Sequence, residues 1–138
     1  MFSKNKNLLK DGDFLKILYY DSKTEEICND LTKAKKYMGG NELCAISLLA
    51  RINALKAAEV LKDIVNMPQF HFHKLVNKGK NNLEGYFAID VKTRKDKWRV
   101  ILEPLDNDEK PFIPCNIDEI AKKVRIVEIR EVSNHYDE

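Results

Sequence analysis

The chain has 138 residues, 43% hydrophobic and 33% charged. This is ordinary globular composition at the length of one domain, enough to bury a core without a disulfide or metal staple. No apolar run approaches the roughly 18 residues of a membrane span, and the first residues carry no apolar signal core, so the expectation is a cytoplasmic domain with no membrane association. Cys28, Cys44 and Cys115 are widely separated and fit no metal spacing, so they read as free thiols.

The net charge of +2 is unevenly spread. Residues 70–99 hold 8 basic and 3 acidic side chains, whereas residues 100–138 hold 5 basic and 10 acidic ones. The basic block is Lys74, Lys78, Lys80, Lys92, Arg94, Lys95, Lys97 and Arg99. A local block of this kind on a near-neutral chain can be a footprint for phosphate, although turn lysines are often only solvated.

In chain order, residues 1–12 show no periodicity and read as a flexible segment, leaving residues 13–138 as a single domain. Phe14 to Tyr20 is rich in β-formers and predicts a first strand. Ser22-x-x-Glu25 reads as a capping box opening a helix with Ile27, Leu31, Ala34 and Met38 on one face. Gly39-Gly40 stops that helix, and Asn41 caps a second one that can run about six turns before Pro68. After Pro68 the period becomes two, putting Phe70 and Phe72 on one face and His71 and His73 on the other. Further strands are expected over Gly85–Asp90, Trp98–Pro104 and Val124–Val132, with a basic turn between the first two and a short helical turn near Asp118. This order predicts an α+β fold: an N-terminal helical hairpin packed on a small twisted, antiparallel-rich sheet.

The sequence has no phosphate-binding glycine loop, no nucleophile elbow and no paired-cysteine metal site. His71 and His73 are spaced as a metal pair could be, but no nearby His or Cys completes a site, so neither a metal nor another cofactor is expected.

Three runs carry a family resemblance: Gly85-Tyr86-Phe87-Ala88-Ile89-Asp90, Trp98-Arg99-Val100-Ile101-Leu102-Glu103-Pro104, and Ile126-Val127-Glu128-Ile129 leading to Ser133-Asn134-His135-Tyr136. Their order resembles the RelE/ParE superfamily of toxin–antitoxin toxins, and most closely its HigB-like branch. The resemblance implies a RelE-like fold and a metal-independent endoribonuclease that cleaves mRNA on the ribosome. It also implies a separately encoded antitoxin, usually of helix-turn-helix type, as partner beside the ribosome and mRNA. Two alternatives remain: a ParE-like inhibitor of DNA gyrase, and a non-catalytic protein-binding module on the same scaffold.

Position by position, the resemblance implies acid–base chemistry at His135, phosphate binding at Arg99 and a site role for His73. Lys74, Lys78, Lys80 and Lys97 are the expected RNA-backbone contacts. The family's Asp-Tyr before the terminal histidine is Ser133-Asn134 here, so only Tyr136 is left to supply a phenol. RNA cleavage through the 2′-hydroxyl needs a base, an acid and cations at the phosphate, and imidazole and guanidinium groups suit those tasks. Each residue also has a plainer reading. An isolated histidine near a chain end is usually solvated, Arg99 alternates with Trp98 and Val100 as a strand residue turned to solvent, and Tyr86 and Trp98 fit a core as well as a base-stacking surface.

Overall fold

The computed structural model describes residues 14–76, 83–93 and 95–135. Residues 1–12, Lys78, Lys80, Arg94 and Tyr136 therefore lie outside the described residues.

The fold is α+β. Strand β1 (Lys16–Tyr19) is followed by helices α1 (Ser22–Asn29), α2 (Leu31–Tyr37), α3 (Glu42–Ala57) and α4 (Leu61–Val65), then by a 3-10 turn at Pro68–Phe70. Strands β2 (His73–Lys74), β3 (Phe87–Asp90) and β4 (Arg99–Leu105), helix α5 (Ile117–Ile120) and strand β5 (Ile126–Ser133) complete the order. The sheet order is β1-β5-β4-β3-β2. Only β1 with β5 is parallel, and the other three pairings are antiparallel.

Local chemistry sets the helix ends, sometimes differently from the sequence pattern. The first helix is capped by Asp21, whose carboxylate accepts from Thr24 N at 2.8 Å, so Ser22 is already inside it. The expected continuous helix is interrupted at Asp30. This residue takes extended backbone angles and accepts from Lys33 N at 3.0 Å, starting α2 as a new helix. A short carboxylate side chain competes for backbone N–H groups in this way. Gly39 and Gly40 have φ of 73° and 87° and end α2, as their left-handed freedom allows. Asn41 caps α3 by accepting from Cys44 N at 3.0 Å. The expected six-turn helix stops at Ala57, because Asp63 accepts from Glu59 N at 3.0 Å and from Val60 N at 3.3 Å and restarts the chain as α4.

The core lies between the helices and one sheet face. Leu48, Ile52 and Leu55 of α3 and Leu61 and Ile64 of α4 pack there with Ile89, Val100, Leu102, Val127 and Ile129. Leu48, Ile52, Leu55, Leu61 and Ile64 are each 0% exposed. Burying a side chain of this type contributes roughly 1.5–3 kcal/mol, so this seam anchors the hairpin to the sheet. A smaller apolar cluster, Leu75, Leu83, Ala88 and Ile101 with Tyr86 against it, covers part of the opposite face. On β5 the register shifts opposite Ile101 and Leu102, so Arg130 is an extra, bulged residue.

No helix among the described residues is long and apolar enough to cross a membrane.

Candidate functional site

The hairpin register fixes the site. Asp90 pairs with Arg99 across β3 and β4, and Arg99 pairs with Ser133 across β4 and β5. Ile89, Val100 and Val132 point into the helix-side core, so strand alternation turns Asp90, Arg99 and Ser133 to the opposite face. His73 pairs with Ala88, two residues before Asp90, and alternation gives it that face as well. His135 follows two residues after Ser133 and donates its backbone N–H to Ser133 Oγ at 3.0 Å.

Arg99 is the principal correction to the sequence reading. It is a buried ion-pair partner, 4% exposed, with Nε 3.2 Å from Asp90 Oδ1, whose own side chain is 2% exposed. Its Nη1 also donates to the carbonyls of Asp96 and Trp98, the latter at 2.8 Å. The β3–β4 turn is thus folded around the guanidinium. Asp96 reinforces it by accepting from Trp98 N at 3.0 Å and from the Cys44 thiol at 2.7 Å. In this state Arg99 is withdrawn from solvent and carries a carboxylate counter-charge.

Two imidazoles flank the pair. His71 Nδ1 lies 3.3 Å from Asp90 Oδ1, and the His71 and His73 rings stack with centroids 4.4 Å apart. The period-two reading of residues 70–73 brought these rings together by a different geometry from the real one. Phe70 closes a 3-10 turn, and His71 caps it in the left-handed region at φ 48°. Such a backbone in a residue other than glycine is uncommon and needs surrounding support. Arg51 of α3 provides it. Its guanidinium donates to the carbonyls of Asp90 at 2.9 Å and Gln69 at 3.2 Å, and it lies 4.6 Å over the Phe70 ring. Burial lowers the pKa of Arg51, and the charge of Asp90 opposes that shift.

The structure brings His73 and Arg99 into one cluster. His135 is exposed just beyond the strand beside Arg99. Lys97 is exposed in the β3–β4 turn, as are Lys92 and Lys95. Lys74 is exposed but pairs with Phe87, so alternation turns it to the face opposite His73. Trp98 packs on Tyr37 with ring centroids 5.6 Å apart, and Tyr86 packs on the smaller apolar cluster with Arg130 5.5 Å from its ring. Both aromatics therefore serve packing. A cavity of about 220 Å³ between Glu84, Glu103 and the Pro111–Cys115 segment lies apart from this cluster, and its two carboxylates do not suit a phosphate.

Asp90 and Arg51 have no place in the sequence reading of the site, and His71 enters it only through its spacing with His73. A signal for Asp90 was present. It and Arg99 have opposite charges and flank the β3–β4 turn, so a hairpin places them face to face.

No family model matches the sequence, and no curated protein or solved structure matches it.

Proposed function

We propose that the chain is a toxin of the RelE/ParE type, HigB-like, that cleaves mRNA during translation and is held in check by a separately encoded antitoxin. The observation that carries this reading is the convergence of the three resemblance-bearing strands. Their pairing with one another, and that of β3 with β2, puts His73, the Asp90–Arg99 pair and the segment leading to His135 at one end of the sheet face away from the helices.

In this reading His135, open to solvent, performs proton transfer at the scissile 2′-hydroxyl or the leaving 5′-oxygen. His73 is the second imidazole of the site. Arg99 acts by holding the β3–β4 turn and Asp90 in place, and the exposed lysines of that turn, Lys97 among them, meet the RNA backbone. The ribosome would supply the orientation of the message that so small a set of groups cannot impose. The implied partners are the ribosome, mRNA and the antitoxin.

The burial of Arg99 against Asp90 also favours a second reading, a non-catalytic binding module, because it leaves no solvent-facing arginine at the site among the described residues. Expression without antitoxin separates the two. Growth arrest with new mRNA 5′ ends inside translated regions, mapped by primer extension, supports the nuclease. Growth arrest with intact mRNA contradicts it, and an accompanying DNA double-strand-break response would point to gyrase.

A further inference from the structure

We propose that His71, His73 and Asp90 form a binding site for a first-row transition-metal dication of the zinc class. One ligand atom from each of these residues lies within 4.8 Å of the other two. The set offers two imidazole nitrogens and one carboxylate oxygen. This is the borderline-soft mixture that zinc, cobalt and nickel take, whereas magnesium and calcium prefer oxygen ligands.

The hydrogen bonding prepares the donors. His73 Nδ1 sits 2.7 Å from the His71 carbonyl oxygen. A carbonyl can only accept, so Nδ1 carries a proton, and Nε2 is the ring nitrogen left to act as a metal ligand. A metal-binding histidine is commonly fixed in this way, through a backbone carbonyl on its other nitrogen. Asp90 is held similarly, with Arg99 Nε at 3.2 Å on its carboxylate and Arg51 on its backbone carbonyl.

Little movement is required. Ligand atoms around one tetrahedral zinc at ~2.1 Å stand ~3.4 Å apart, so the donors close by on the order of 1 Å. His71 is 26% exposed on its side chain, which gives an ion access from solvent. Three protein ligands leave at least one position for water. The inference is independent of the RNA-cleavage reading, because its readout is metal binding.

The test is titration of the full-length protein with Co²⁺, followed by its visible d–d absorption, and then competition with Zn²⁺. The expected result is saturation at one equivalent, displacement by Zn²⁺ and no thiolate-to-cobalt charge-transfer band. His71→Gln and His73→Gln should each weaken binding by at least about tenfold, and the double variant should abolish it. Cys115→Ser should leave it unchanged. A thiolate band, undiminished affinity in the double variant, or no saturable binding would overturn the proposal. His71 is part-exposed, so His71→Gln alone decides the matter if His73→Gln fails to fold.

Discussion

Asp90 and Arg99 face each other across β3 and β4 as an ion pair of 3.2 Å, with side chains only 2% and 4% exposed. Such a pair is costly to bury and more costly to break, because removing one partner strands the other charge. The pair therefore fixes the hairpin around which the candidate site is built.

Arg99→Ala should destabilise the fold by about 3–5 kcal/mol, through the buried carboxylate left without its counter-charge. Replacing both residues together, as Asp90→Leu with Arg99→Met, should recover most of that loss. Denaturant melts of the two single variants and the double variant check this. An Arg99→Ala melt indistinguishable from the parent would mean that the guanidinium is not the buried partner described.

The cysteines should differ in reactivity. Burial pushes the Cys28 thiol up to about 12. Burial, followed by the hydrogen bond to Asp96, pushes Cys44 up to about 11. The thiolate is the nucleophile, so both should resist alkylation near neutral pH in the native protein. Cys115 is also raised by burial but is partly exposed, and it should react first. Mass spectrometry after brief iodoacetamide treatment gives the order. Early labelling of Cys44 would contradict the packing at the β3–β4 turn.

Glu103 supplies a pH dependence. Burial raises its pKa above the ordinary carboxylate value, against the lowering effect of Arg130. The folded state therefore binds this proton more tightly than the unfolded chain. The corresponding contribution is complete below the unfolded pKa and is lost as pH rises through the folded one. Glu103→Gln should remove that loss, leaving the variant at least as stable as the parent near neutral pH, while Arg130 keeps Glu128 at 2.6 Å. Thermal melts of parent and variant across the acid range test the sign, and a variant that loses stability relative to the parent as pH rises would reverse it.

Much of the fold was legible in the sequence because its signals are local. Gly39-Gly40 and Asn41 mark the turn between the helices, and β-forming runs mark the strands of the C-terminal half. What escaped depends on tertiary competition. Asp30 and Asp63 capture backbone N–H groups and divide two helices whose apolar spacing looks continuous. The parallel pairing of β1 with β5 joins the two ends of the domain and has no short-range signature. At the site, the family resemblance marks His73 and Arg99, but nothing local in the sequence shows that Arg99 is buried. Alternation with Trp98 and Val100 shows that it leaves the core face, not that the other face is covered too. Arg51 stands in a helix of alanines and aliphatics, and its role appears only once α3 packs beside the end of β3.

The most direct measurement is cleavage of a labelled message in a reconstituted translation reaction, comparing the wild-type chain with His135→Gln. The RNA-cleavage reading predicts cuts in the translated region with the wild type and none with His135→Gln. The variant should keep its thermal stability within about 0.5 kcal/mol, as an exposed residue beyond β5 should. Tyr136→Phe should cost much less, since a phenol with a reference pKa near 10 is a poor substitute near neutral pH. An intact message with the wild-type protein, or unchanged cleavage with His135→Gln, would contradict it.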